Sequence, residues 1–315
     1  MKAVVINGIT PAEQVCISEL PVPQVKPGWV LVRVRAFGMN HSEQILRLQE
    51  IEAPYIQKPV VPGIECVGEI ENPSDSSWAK GQRVVALMGG MGRSFNGSYA
   101  EYALLPVRQV FPVNTALSWE ALGAVPETWF TAWGSLFECL RLEAGDTLLV
   151  RGATCALGYA AIAIAKAQGC KVIATTHRAE KLSLLESADE AVLDDGRLTG
   201  RIHGANKALD LVGPKFLRDT LTTVDRGGIV CDTGVLGGVY ALNGFDPIKE
   251  IPNGVYLTGF FSNTPTQAAI DEILAFLNKH RIDPPRGAVY DFADIRNACI
   301  ALDQGKINGK IVIRV

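Results

Sequence analysis

The sequence predicts a two-domain α/β protein, with a small all-β domain followed by a doubly wound parallel sheet. Three observations carry this. Residues 146–176, DTLLVRGATCALGYAAIAIAKAQGCKVIATT, read as strand, tight turn, helix and strand. Beyond them strand and helix patterns continue in strict alternation, the signature of a parallel sheet with crossover helices. Residues 1–115 instead hold short β-branched runs broken by Pro and Gly, as in a strongly bent β domain.

In chain order, the first domain offers strand patterns at 3–6, 30–36, 67–70, 83–87 and 99–104. Apolar residues take helical spacing over 118–140, interrupted at Pro126, so the domain boundary is placed near 114–118. Residues 147–150 are an apolar strand after the polar turn 143–146, and 152–158 are small enough for a sharp turn into a helix over 156–168. That helix is apolar around much of its circumference and stops at Gly169, as expected of a helix packed on a sheet. Strands follow at 171–175, 190–193, 207–212, 228–232 and 255–261, with helices over 179–187, 215–224 and 265–280. The tail 310–315 is a β-branched strand, read as pairing back into the first domain. The first domain is then 1–115 completed by 266–315, and the second is 116–265.

A length of 315 residues suits two domains, since single cores rarely grow past about 250 to 300 residues. Hydrophobic residues are 48% and charged residues 20%, a globular composition. The net charge of -3 argues against nucleic acid as a partner. Neither a secretory leader nor about eighteen uninterrupted apolar residues is found, so a membrane is not expected and the cytoplasm is. The seven cysteines are scattered and never spaced C-x-x-C, which reads as free thiols rather than a disulfide framework or zinc ribbon.

The turn 152–158 leaves the first N–H groups of its helix facing outward at the positive end of the helix dipole, where a phosphate binds. The dinucleotide fingerprint G-x-G-x-x-G reads here Ala153-Thr154-Cys155-Ala156-Leu157-Gly158, so only the helix-packing glycine is present. On this segment alone, an ordinary βαβ element without a ligand stays open.

Several stretches together carry a family resemblance: Met1-Lys2-Ala3-Val4-Val5, Ala36-Phe37-Gly38-Met39-Asn40, Pro62-Gly63-Ile64-Glu65, Gly97-Ser98-Tyr99-Ala100-Glu101-Tyr102, the βαβ unit and Gly309-Lys310-Ile311-Val312. In order and spacing they resemble the medium-chain dehydrogenases/reductases, specifically the zinc-free quinone oxidoreductase-like branch, over essentially the whole length. The resemblance implies a GroES-like β-barrel catalytic domain plus a Rossmann domain, and a homodimer joined through the edge strand 255–261. Zinc-dependent members place a cysteine and a histidine where this chain has Asn40 and Ile64. Tetrahedral zinc needs Cys, His or carboxylate ligands, so metal-free hydride transfer is expected. Alanine at the first fingerprint position fits the branch, which usually keeps glycine at the positions of Cys155 and Ala156. Each added Cβ pushes a pyrophosphate outward, and the Thr154 hydroxyl is a compensating donor.

The second Rossmann strand exits through Thr175-Thr176-His177-Arg178, with Lys181 a turn later and no acid before Glu180. An acid there would bind the 2′-hydroxyl of NAD, whereas Arg178 and Lys181 suit a 2′-phosphate, so the cofactor is expected to be NADPH. A solvated basic face is the alternative. For the nicotinamide end the resemblance selects Asn40, Thr131, the turn Thr233-Gly234-Val235-Leu236 and Phe260-Phe261-Ser262. Asn40 is expected to donate to the substrate carbonyl and Thr131 to orient the carboxamide. No general acid stands out. Tyr55, His41 and Arg47 are candidates, and water suffices for the last proton. Glu65 is read as structural.

The resulting expectation is an NADPH-dependent, zinc-free oxidoreductase that passes hydride to a quinone or conjugated carbonyl. The alternatives are an enoyl-thioester or alkenal reductase, and a nucleotide-binding protein with little turnover.

Overall fold

The computed structural model describes residues 1–315, which divide into two compact units, Met1–Phe130 with Asn263–Val315, and Thr131–Ser262. In chain order the first unit supplies β1 (Lys2–Val4), β2 (Ile17–Glu19), β3 (Trp29–Met39), α1 (His41–Leu48), β4 (Glu65–Asn72), β5 (Arg83–Leu87), β6 (Tyr102–Pro106), β7 (Val110–Pro112) and α2 (Trp119–Gly123). Helix α3 (Pro126–Trp133) runs across the division. The second unit holds β8 (Thr147–Arg151), α4 (Ala156–Ala167), β9 (Lys171–Thr176), β10 (Glu190–Leu193), β11 (Lys207–Asp210), α5 (Leu217–Thr220), β12 (Ile229–Asp232), α6 (Pro247–Glu250) and β13 (Tyr256–Gly259). The chain then returns to the first unit with α7 (Gln267–His280), β14 (Arg286–Asp291), α8 (Ile295–Asp303) and β15 (Lys310–Arg314).

In the first unit a seven-stranded sheet runs β14-β15-β3-β4-β5-β7, with β6 also paired to β3. Strand β3 is the organiser. It changes register against β4 at Leu31/Val32 and at Val34/Ala36, irregularities that bend a sheet around its own apolar face. That face closes on Val30, Val32, Phe37, Leu46, Val84 and Leu105, all buried in one cluster. Strand β15 pairs antiparallel with β3, setting Ile311 opposite Met39 and Val312 opposite Gly38, and parallel with β14. Helix α2 packs on both β3 and β15: a Cβ built on Gly123 would lie 3.1 Å from both Ala36 and Val312. That packing places α2 with the first unit.

The second unit is a six-stranded parallel sheet in the order β10-β9-β8-β11-β12-β13. The order reverses between β8 and β11, the place where the loops beyond the carboxyl ends of the strands diverge and leave a crevice. Two helices differ from expectation. Residues 179–187 form a short 3-10 segment, Ala179–Leu185, and the helix read over 215–224 shrinks to α5. In the second case the Thr222 and Thr223 hydroxyls donate to the carbonyls of Asp219 and Thr220, an alternative to continuing the helical ladder.

One buried charge braces this unit. Arg151, fully buried at the end of β8, donates to Asp194 at 2.8 and 3.0 Å, to Asp219 at 2.9 Å and to Thr220 at 2.9 Å. It thereby ties β8 to the turn after β10 and to α5.

Candidate functional site

The turn after β8 follows from two glycines. Gly152 takes φ +80°, a conformation that costs a residue with Cβ, and lets the strand reverse into α4. At Gly158 a Cβ would come within 2.2 Å of the Ala153 carbonyl oxygen, so only glycine lets α4 sit against its own turn. The sequence reading of Gly158 as the packing glycine has this physical cause. The N–H groups of Ala156 and Leu157, in the first turn of α4, precede any helical acceptor and are suited to an anion.

Cys155 does not simply crowd this turn. It is the N-cap of α4, and its Sγ accepts the Gly158 N–H at 3.4 Å. One of the donors that would face a phosphate is thus engaged by a side chain of the protein itself. The Thr154 hydroxyl is shared as well, 3.2 Å from the Thr176 hydroxyl, which in turn accepts the Arg178 N–H at 3.3 Å. Thr154 therefore links the turn to the end of β9 rather than standing open as a phosphate donor.

At that strand end Arg178 is partly exposed, its Nε donating to His177 Nε2 at 3.4 Å. Lys181 lies close enough to feel both Arg178 and Cys155. Burial, and then the Arg178 guanidinium, lower its pKa from the ordinary value. Glu180, between them in sequence, opposes the Arg178 effect on Lys181, so the strand exit carries two cations and one carboxylate.

Beyond the carboxyl ends of β8, β11 and β12 three turns converge. A Cβ on Gly152 would lie 3.0 Å from Val212 and 3.6 Å from Leu236, and one on Gly213 would lie 2.3 Å from the Gly234 carbonyl oxygen. Gly234 in turn has no room for a side chain, because its Cβ position is 2.1 Å from the Leu211 carbonyl oxygen. The Gly234-Val235-Leu236 turn is thereby brought against the Gly152 turn, with Leu236 left 46% exposed above it. Past β13, the Phe260 ring lies over the backbone of Gly134, Ser262 is buried and Phe261 is exposed. Thr131 is buried, and its carbonyl accepts the Ser135 hydroxyl at 2.7 Å. Ser135 continues to the Thr233 hydroxyl at 2.9 Å, so Thr131 reaches the 233–236 turn through a hydrogen-bonded chain. Ser135 was not singled out by sequence. It lies in a π-type turn after α3, where the Leu140 N–H reaches back five residues to its carbonyl, a distortion that frequently marks functional sites.

Asn40 belongs to the first unit, at the N-terminus of α1. Its N–H donates to Glu43 Oε2 at 2.7 Å, and its Nδ2 donates to Glu65 Oε1 at 2.8 Å. Lys310 Nζ donates to Asn40 Oδ1 at 2.5 Å, to Glu65 Oε1 at 2.6 Å and to Thr128 Oγ1 at 2.8 Å. Glu65 Oε2 accepts the Glu127 N–H at 2.8 Å. Glu65 is structural, as read, but it is also one partner of Asn40. Lys310 escaped the sequence reading as a site residue; it packs against Gly38, two residues before Asn40, where a Cβ would meet Lys310 Cε at 2.2 Å.

These residues do not fit a zinc ion. Ile64 offers no ligand atom, Asn40 Oδ1 is taken by an ammonium, and Glu65 is occupied on both oxygens. No three His, Cys, Asp or Glu side chains gather as a metal would need. Of the candidate acids, Arg47 is excluded by its own partners. It is 1% exposed and donates to Asp303 at 2.6 Å and to the Thr10 carbonyl at 2.8 Å. Tyr55 is 63% exposed and donates to Glu50 at 3.0 Å.

Glu43 has the more unusual titration. Burial, opposed by the hydrogen bond from the Ile64 N–H, raises its pKa from 4.5 to about 7. The folded protein therefore holds a proton that the unfolded chain gives up between these values, so this group's contribution to stability falls as pH rises from about 4.5 to 7 and stays lost above. Glu43→Gln is expected to flatten the melting temperature across that window, after allowance for any uniform offset. An unchanged slope between pH 4.5 and 7 would remove Glu43 as its cause.

Comparison with known proteins bears on both units. The alcohol dehydrogenase GroES-like domain family matches residues 26–115, and the zinc-binding dehydrogenase family matches residues 187–313. The quinone oxidoreductase of Rattus norvegicus is 30% identical over 236 residues, 70% of this chain and 69% of that protein. That of Homo sapiens is 33% identical over the same shares. Among solved structures, one described as an NAD-dependent alcohol dehydrogenase superposes with a TM-score of 0.86 at 26% identity, covering 100% of both chains. The GroES-like sheet, the parallel sheet with its turn at Gly152 and Gly158, and these relatives agree: the chain belongs to the medium-chain dehydrogenase/reductase superfamily of oxidoreductases, with the quinone oxidoreductases among its relatives.

Proposed function

We propose that this oxidoreductase uses NADPH, works without zinc, and reduces a quinone or an α,β-unsaturated carbonyl. The observation that carries the cofactor choice is the pair Arg178 and Lys181 at the exit of β9, where a ribose-binding acid would stand for NADH. The similar structure described as NAD-dependent makes this pair the point to test.

In this reading the N–H groups of Ala156 and Leu157 and the close-packed turn at Gly158 receive the pyrophosphate, and Thr154 and Thr176 shape the turn behind it. Arg178 grips the 2′-phosphate with a planar fork of donors and Lys181 adds a point charge. Thr131, Gly234, Val235, Leu236, Phe260, Phe261 and Ser262 border the nicotinamide end. NADPH supplies a hydride when bound. Asn40 donates Nδ2–H to the acceptor oxygen, on which negative charge collects, and water provides the proton that completes the two-electron reduction. The protein acts as a homodimer through β13, the outer strand of its sheet, whose Tyr256 is 63% exposed. Chromatography with light scattering tests that assembly. No helix is long and apolar enough to cross a membrane.

A fluorescence titration with NADPH and with NADH tests the reading. Arg178→Ala is expected to weaken NADPH by roughly 10- to 100-fold, the worth of a charge-assisted bond, and to leave NADH unchanged. Equal losses for the two cofactors would refute the 2′-phosphate role. Cys155→Gly, which frees the Gly158 N–H and removes a Cβ, is expected to tighten both cofactors several-fold, on the order of one neutral hydrogen bond. Tight binding without turnover on any quinone, enal or enone would favour the nucleotide-binding protein, the reading that the Cys155 cap supports.

A further inference from the structure

The Lys310 cluster is built for more than holding the first unit together. Lys310 and Glu65 are 1% and 0% exposed, and the ammonium spends its three N–H groups on Glu65, Thr128 and Asn40. Having no acceptor of its own, it decides which way the Asn40 amide faces. The atom toward Lys310 must be the oxygen, so the nitrogen turns toward Glu65. The reversed amide would set NH2 against NH3⁺ and a carbonyl against a carboxylate, two repulsive contacts where little water screens them. One Nδ2–H is used on Glu65. The second is the donor left for another molecule.

We propose that Lys310 is a positioning residue for reduction. Its ammonium locks the Asn40 amide with Nδ2 available to the acceptor and pulls electron density toward Oδ1, which strengthens the remaining N–H as a donor. This rests on the reading that Asn40 binds the acceptor oxygen. The effect grows along the reaction, because the acceptor oxygen gains charge as hydride arrives and a polarised donor answers that charge more than the neutral ground state. The expected signature is a fall in kcat with little change in the KM for NADPH.

The test is a double-mutant cycle on NADPH oxidation by p-benzoquinone. Lys310→Met alone would strand a buried carboxylate, so the charge is removed as the pair Glu65→Gln/Lys310→Met, with Lys310→Arg as a second variant that keeps a buried cation. The neutral pair is expected to lower kcat by about 10- to 100-fold, less than outright loss of a positioned donor because Asn40 itself remains. Lys310→Arg should lie between the pair and the natural protein. Asn40→Ala should lose kcat by at least that factor, up to about 1000-fold, and in its background neither change should alter kcat more than about twofold, since coupled residues are not additive. Factors that multiply instead would assign Lys310 a structural role and overturn the proposal, as would full kcat in both Lys310 variants beside a slow Asn40→Ala. Full kcat in Asn40→Ala would overturn the reading of Asn40 itself, and this proposal with it. If the neutral pair does not fold, Lys310→Arg decides between the same outcomes.

Discussion

Arg151→Met is expected to destabilise the second unit by about 3 to 5 kcal/mol, the cost of leaving the buried Asp194 and half-buried Asp219 carboxylates without their cation. Arg151 is wholly buried, and Asp194 and Asp219 point at it from two different segments. The same guanidinium also satisfies Thr220 and the Phe216 carbonyl. Methionine fills much of the volume but offers none of the five donors, so the acids must take up protons or pull water inward. Urea unfolding followed by far-UV circular dichroism reads the loss. Asp194→Asn alone, which leaves the cation with one acid, should lose less than Arg151→Met. A midpoint within error of the natural protein for Arg151→Met would mean that the cluster is ornamental.

Gly38→Ala is expected to be nearly as costly in the first unit, about 1 to 3 kcal/mol or more, because its methyl has nowhere to go. The new carbon would stand 2.2 Å from Lys310 Cε, 2.6 Å from Glu65 Oε1 and 2.9 Å from the Gly123 carbonyl oxygen. One neighbour is a side chain, but it is fixed by three hydrogen bonds, and another is backbone. Relief must therefore come from moving Lys310 away from Asn40, so turnover should fall together with stability. Differential scanning calorimetry and kcat on the same preparation check this. A stable Gly38→Ala protein with natural kcat would show that the cluster tolerates displacement.

Much of this was legible in the chain. The parallel sheet was legible from Thr147 onward because the buried strands β8 and β9 and the apolar helix α4 between them leave strong apolar runs. The sharp turn into α4 was legible through Gly158, where a Cβ would meet the Ala153 carbonyl oxygen. Other elements were silent. Strand β2 and strand β7 are three residues each, too short for a period, and β14 alternates half-buried with exposed residues around Gly287, so little apolar signal remains. Cys155 as a cap was out of reach, since sulfur is a weak acceptor and no sequence rule expects it at a helix start. The Lys310 cluster was hidden by distance: Asn40, Glu65, Thr128 and Lys310 are spread over nearly the whole chain and meet only because β15 lies against β3.

That placement of β15 has a consequence for biosynthesis. As the chain leaves the ribosome, the whole of Thr131–Ser262 emerges before the strand that completes the sheet begun at Trp29. Until Lys310–Arg314 arrives, β3 keeps an unpaired flank from Ala36 to Met39, and the carboxylate of Glu65 has no cation beside it. The second unit can therefore close early, while the first waits with an open edge, the state in which strands from neighbouring chains pair wrongly. Chaperone dependence and aggregation of nascent chains should concentrate in that interval, and supplying β15 late is what ends it.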